Sequence, residues 1–110
     1  MMAAKRQTKY KIRTSDEIVN FIRGTHPQLK RKIKSALKHI IDDPGVGKSL
    51  KDELKGLKSF KVSRFRVIYR ISSRHIIEII TIGPRKTIYE ETYRMMKKDK
   101  SISQLPNKNK

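Results

Sequence analysis

The stretch from Phe60 to Ile82 does most to limit what this chain can become. It holds three short runs, Phe60–Val62, Phe65–Ile71 and Ile76–Ile82, rich in aromatic and β-branched residues and joined by very short connections. Connections of that length cannot carry a crossover, so the runs must pair as an antiparallel meander. Side chains alternate along a strand, which puts Phe65, Val67, Tyr69 and Ile71 on one face and Arg66, Ile68 and Arg70 on the other. The apolar face needs a cover. The arginines are left on an open face.

The cover is legible upstream. Leu29, Ile33, Ala36, Leu37, Ile40 and Ile41 recur at helical spacing and make one apolar stripe. Thr25-His26-Pro27-Gln28 opens that helix with a cap residue and an early proline, and Asp42-Asp43-Pro44-Gly45 closes it. A shorter helix precedes it. Thr14-Ser15-Asp16-Glu17 reads as a capping box with Thr14 as N-cap, Ile18, Phe21 and Ile22 follow at helical spacing, and Gly24 is the stop. Tyr10-Lys11-Ile12 alternates as a short strand does, Leu50, Leu54 and Leu57 suggest an irregular or briefly helical stretch, and Ile88–Lys98 can form a last helix. The expected fold class is α+β: an N-terminal helical hairpin packed on a small twisted antiparallel sheet of about four strands, with a short C-terminal helix. Residues 1–8 read as a flexible basic arm, 9–98 as a single domain and 99–110, where periodicity is lost, as a disordered tail.

Charge narrows the function. Twenty-eight Lys and Arg against 10 Asp and Glu leave a formal net charge of +18. Such an excess repels itself in a compact state and calls for a polyanionic partner. Nucleic acid is the first candidate, an anionic membrane surface the second and an acidic protein the third. The chain has no cysteine, which excludes disulfide and thiolate chemistry. The apolar runs are too short to span a bilayer, and Met-Met-Ala-Ala-Lys-Arg lacks the apolar stretch of a secretion signal, so a cytoplasmic protein with no membrane partner is expected. Gly45-Val46-Gly47-Lys48-Ser49 resembles part of a phosphate loop, but Asp42 stands where that motif needs its first glycine, and a helix precedes it instead of a strand. His26, His39 and His75 lack metal-ligand spacing, so no metal and no cofactor are expected.

Parity also fixes a register. Pairing Val62 with Phe65 across Ser63-Arg64 sets Lys61 opposite Arg66 and Phe60 opposite Val67. Pairing Ile71 with Ile77, across a loop centred on Arg74, sets Arg70 opposite Glu78 and Arg66 opposite Ile82. Arg70 then has a cross-strand partner. Lys61, Arg66 and Arg85, which follows Gly83-Pro84, have no acid nearby, and like charges facing each other cost a sheet roughly 0.2–1 kcal/mol per pair. An unpaired cationic cluster on a half-apolar surface has the chemistry of a phosphate site. The plainer alternative is three solvated cations.

Taken in order, Leu29–Ile41 with Asp43-Pro44 and Gly47-Lys48, Glu53-Leu54-Lys55-Gly56-Leu57, Phe65-Arg66-Val67-Ile68-Tyr69-Arg70-Ile71, and Ile82-Gly83-Pro84-Arg85 with Ile88-Tyr89-Glu90 resemble the RelE/ParE toxin superfamily in order and spacing. The likeness spans about Tyr10 to Arg94. It implies a toxin of a type II toxin–antitoxin system and a cognate antitoxin that wraps it, for which a heterotetramer is one available assembly. The cationic surface in turn predicts an acidic segment in that antitoxin. For the RelE branch the likeness implies ribosome-dependent, metal-independent cleavage of mRNA, with the catalytic set falling on Lys61, Arg66, Arg85 and Tyr89. A second lysine that the resemblance places two residues after Lys61 is Ser63 here, with Arg64 beside it, and both are assigned to RNA binding. Tyr89 follows Arg85 more closely than in the ribonuclease relatives. ParE relatives that poison DNA gyrase share the scaffold without using this set catalytically.

These residues could drive attack of an RNA 2′-OH on its own 3′-phosphate. Arg66 and Arg85 would hold the phosphate, Tyr89 or Lys61 would act as base, and Arg85 is by resemblance the donor to the leaving oxygen. Tyr89 could instead stack on a base or simply pack on the sheet. Lys30, Lys34 and Lys38 line one face of the longer helix with no acid among them. They are assigned to ribosomal RNA backbone contact, with a solvated face as the alternative. Three functions remain open: an mRNA endonuclease toxin, a non-catalytic toxin directed at gyrase, and a plain RNA-binding module.

Overall fold

A computed structural model describes residues 10–72 and 75–108. The elements are β1 (Lys11–Arg13), α1 (Asp16–Gly24), α2 (Pro27–Asp42), β2 (Lys48–Ser49), β3 (Lys58–Val62), β4 (Phe65–Ile71), β5 (Ile76–Pro84) and α3 (Arg85–Lys108), with short 3-10 turns at Pro44–Val46 and Asp52–Leu54. The five strands form one sheet in the order β1-β5-β4-β3-β2. The α+β class and helical hairpin are as expected. The sheet differs in two respects. It gains the two-residue β2, too short to leave an alternating signature, and β1 runs parallel to β5.

α1 and α2 cover one face. Ile18, Ile33, Ala36 and Ile40 pack there against Val62, Val67, Tyr69, Ile77, Ile79 and Ile82. The helix starts lie one residue later than the motifs suggest. Ser15, not Thr14, caps α1 by accepting the Ile18 N–H at 3.3 Å, and His26 Nδ1 caps α2 by accepting the Gln28 N–H at 3.1 Å. In both cases a side-chain acceptor meets the orphan donors of the first turn.

The β3–β4 register is the expected one, Val62 with Phe65, Lys61 with Arg66 and Phe60 with Val67. Between β4 and β5 the pairs Ile71–Ile77 and Arg70–Glu78 also form as expected, but a bulge at Ile68/Tyr69 shifts the remainder. Arg66 therefore faces Gly83, not Ile82. The extra residue returns Ile82 to the apolar face, where it is 9% exposed. The turn at Ser63-Arg64 closes without glycine by placing Ser63 at φ 59°. The basic arm at residues 1–8 and the loop centre Arg74 lie outside the described residues.

The second face is not open, as alternation alone suggested. Ile68 on that face needs cover too, and α3 starts directly after Pro84 and turns back across the sheet. Leu57, Ile68 and Ile88 form a second core, with Ile80, Tyr89 and Met96 packed around it. α3 is also longer than Ile88–Lys98. Its backbone is helical from Arg85 to Lys108, the last ten residues falling where the loss of periodicity suggested a tail.

Candidate functional site

The cationic cluster forms where three elements meet. Lys61 on β3 and Arg66 on β4 are cross-strand partners on the face that α3 covers, which places their Cβ atoms roughly 4.5–5.5 Å apart. Arg85 is the first residue of α3, and its N–H donates to the Arg64 carbonyl at 2.9 Å, tying the helix start to the β3–β4 turn. Pro84 pairs with Phe65 beside that bond. Lys61, Arg66, Arg85, Ser63 and Arg64 are thus gathered at one end of the sheet.

Among the described residues no carboxylate forms an ion pair with the cluster. The ion pairs among the described residues are Arg13–Glu78, Arg70–Glu78 and Glu90–Arg94, and none involves Lys61, Arg64, Arg66 or Arg85. Glu91 approaches this end of β5, with its Oε1 3.7 Å from where a Cβ on Gly83 would stand, but it forms no ion pair there. Arg70 is held by Glu78 at 2.7 Å, the expected cross-strand pair, and Arg13 reaches the same carboxylate at 3.8 Å.

Arg66 is the unusual member. Its side chain is half-buried, and its Nε is buried without any hydrogen-bond partner among the described residues. An unpaired buried donor costs about 1–3 kcal/mol, more when the group is charged. Lys61 and Arg85 are exposed beside it. Two exposed cations around one half-buried guanidinium suit an anion that enters from solvent and accepts hydrogen bonds from the arginine fork.

Tyr89 lies one turn after Arg85 on the same flank of α3, half-buried, with its hydroxyl 3.0 Å from Ser59 Oγ. Ser59 is 3% exposed and precedes Lys61 by two residues on the same side of β3. Neither Ser59 nor Gly83 was selected from the sequence. Strand parity with Lys61 would have found Ser59, whereas Gly83 faces Arg66 only because of the bulge. Lys30, Lys34 and Lys38 are not part of this cluster. They lie on α2, across the sheet from it, Lys34 and Lys38 exposed and Lys30 half-buried. A cleft of about 500 Å³ opens beside the Arg70–Glu78 pair, between Arg13, Glu17, Met95 and Met96. It carries two acids and shares no residue with the cluster.

Comparison by sequence with curated proteins finds no match. Among solved structures, the RelBE2 toxin–antitoxin complex of Mycobacterium tuberculosis matches with a TM-score of 0.60 and 25% identity over 70% of this chain and 99% of that one. The isolated RelE toxin of E. coli matches at 0.59 and 15% identity, over 79% and 98%. The archaeal RelE–RelB complex of Pyrococcus horikoshii matches at 0.58 and 19%, over 70% and 96%. The family model for the ParE toxin of type II toxin-antitoxin system, parDE, matches residues 8–89, the stretch that holds both sheet faces, the cationic cluster and Tyr89. The chain belongs to the ParE toxin family of type II toxin–antitoxin systems, on a fold it shares with RelE.

Proposed function

We propose that this toxin is a metal-independent endoribonuclease that cleaves mRNA at the ribosome and so arrests translation. The observation that carries the reading is Arg66, whose buried Nε has no partner among the described residues, within a cluster where no described acid forms an ion pair. A scissile phosphate would supply the missing acceptor. Arg66 and Lys61 hold its non-bridging oxygens, and Arg85 closes on it from the start of α3. The RNA 2′-oxygen forms a bond to phosphorus as the bond to the 5′-oxygen breaks, leaving a 2′,3′-cyclic phosphate. The 2′-hydroxyl proton passes to Tyr89 in its phenolate form, or to Lys61 as the neutral amine with Arg66 and Arg85 left to hold the phosphate, and the departing 5′-oxygen takes a proton from the Arg85 side. Ser63 and Arg64, both exposed at the adjacent turn, contact the RNA backbone. Lys30, Lys34 and Lys38 supply ribosomal RNA contacts from the other side of the molecule.

The partner expected for such a surface is an antitoxin with an acidic segment, assembled with the toxin in the cytoplasm, a heterotetramer being one form. No described helix is long and apolar enough to cross a membrane. Arg66→Ala and Arg85→Ala should each abolish growth inhibition while the variants still fold and bind antitoxin. Primer extension on translated mRNA should show cuts inside codons for the unaltered toxin. Full toxicity of both variants would overturn the assignment.

A second reading, non-catalytic inhibition of DNA gyrase, is favoured by the ParE family match. Intact mRNA with stalled replication in toxin-expressing cells would select it.

A further inference from the structure

We infer that Ser59 is a positioning residue for the cleavage proposed above, because its hydroxyl sets which way the Tyr89 phenol oxygen presents its lone pair. The inference rests on the ribonuclease reading. Ser59 is a polar residue in a place that otherwise takes apolar ones. It is 3% exposed in the middle of β3 and faces Ile68 across the ladder, beneath α3. Its Oγ is paired with one side chain, the Tyr89 hydroxyl at 3.0 Å. Tyr89 remains half-buried.

The pair stands beside the cationic cluster. Ser59 is two residues from Lys61, a step of about 7 Å along one face of a strand. Tyr89 is one helical turn from Arg85. The hydroxyl pair therefore stands about one strand repeat, on the order of 7 Å, from the Lys61 position, within reach of a ribose joined to a phosphate held there.

A phenol and an alcohol can share their hydrogen bond in two directions. If Tyr89 donates to Ser59, the phenol oxygen is left free to accept a hydrogen bond from the 2′-hydroxyl. If Ser59 donates instead, the phenol keeps its own proton pointing outward and acts as a donor. To take the 2′-hydroxyl proton outright, Tyr89 must first have released its own to solvent. Ser59 then donates to the phenolate oxygen and holds a lone pair toward the site, and the transferred proton regenerates the phenol. In that state the base is aligned before reaction, so the benefit falls on the chemical step and not on RNA binding. Ser59 touches no substrate and acts only through Tyr89.

The test is a double-mutant cycle of Ser59→Ala and Tyr89→Phe in the full-length toxin, assayed on ribosomes programmed with mRNA. The rate at saturation and the half-saturating ribosome concentration are measured separately. Ser59→Ala should lower the saturating rate by about 10-fold or more, with the half-saturating concentration within about twofold. The Ser59→Ala/Tyr89→Phe double variant should be no slower than Tyr89→Phe alone. Circular dichroism and thermal unfolding of each variant check that the fold is intact. A Ser59→Ala toxin as fast as the unaltered one, or losses that multiply in the double variant, would overturn the positioning role and leave the ribonuclease reading standing. Absence of any cleavage by the unaltered toxin would remove both.

Discussion

Arg66 stands directly across from Gly83, and the space above that glycine is already taken. A Cβ on Gly83 would lie 2.7 Å from Cδ1 of Ile88, which is itself fully buried. The absence of a side chain at residue 83 is what lets Ile88 and the first turns of α3 pack onto β5. Gly83→Ala should therefore destabilise the domain by about 1–3 kcal/mol, as overpacking does. The contact is with one terminal methyl, so it can be relieved. Ile88→Val alone should cost about 0.5–1.5 kcal/mol. The double variant should be more stable than the sum of the two losses requires, by at least about 0.5 kcal/mol. Chemical denaturation of the four proteins checks this, and strictly additive losses would show that the contact does not govern α3 docking.

Arg70 and Arg66 offer a matched pair for the electrostatic argument. Both lie on the α3-covered face of β4, but Arg70 is held by Glu78 at 2.7 Å whereas Arg66 has an unpartnered Nε. Arg70→Ala should leave RNA cleavage within about twofold and cost no more than about 1 kcal/mol, the usual range for a partly exposed pair. Arg66→Ala should abolish cleavage. Equal losses from the two substitutions would mean that net charge on this face matters and local geometry does not.

The difference between these arginines is legible from the alternation of side chains along a strand. Strand parity sets Lys61 against Arg66 and Arg70 against Glu78, and both pairs form. It failed at Ile82 because a bulge inserts one residue, and nothing local marks that insertion; only the need to return Ile82 to the core explains it. It also left the second face open. Ile88, Thr92 and Met96 recur every fourth residue, the spacing of a covering stripe, yet Glu90 and Glu91 between the first two and Arg94 between the last two hide it. Thr92 in particular reads as a surface residue, whereas it is fully buried with its hydroxyl donating to the Ile88 carbonyl at 2.6 Å. The cluster was visible from strand alternation. The docking of α3 over Ile68 beside it depended on tertiary packing.

The basic face of α2 makes a separate prediction, because the sheet lies between it and the cluster. If Lys30, Lys34 and Lys38 contact ribosomal RNA phosphates, replacing all three by Gln should weaken ribosome binding. It should also reduce the slope of log affinity against log salt by up to about 2–3, at nearly one per lost phosphate contact. Cleavage at saturating ribosome should persist, since no residue of the Lys61–Arg66 site is altered. Binding isotherms at several salt concentrations test this. An unchanged slope would assign these lysines to solvent.

Tyr69 is the polar group on which the shape of the hairpin-facing core depends most. Its hydroxyl donates to the Pro44 carbonyl at 2.7 Å and accepts the Gly47 N–H at 2.9 Å, fastening the turn after α2 to the middle of the sheet. Gly47 has no space for a side chain, since a Cβ there would lie 2.6 Å from the Tyr69 oxygen. Tyr69→Phe leaves both turn groups without their partner and should cost about 1–3 kcal/mol. The pH dependence gives an independent check. Burial raises the Tyr69 pKa above its ordinary value of 10.0, the Gly47 N–H opposes that shift, and the Asp43 charge adds to it. Above pH 10 the unfolded phenol ionises while the folded one still holds its proton, so the unfolded state binds fewer protons and stability falls as pH rises. Below that range the contribution is complete. The difference in stability between the unaltered protein and Tyr69→Phe should therefore be flat through neutral pH and shrink above pH 10, a comparison from which the common titration of the lysines cancels. A difference that stays constant through alkaline pH would show that the phenol ionises as readily folded as unfolded, and that its burial is not what the structure shows.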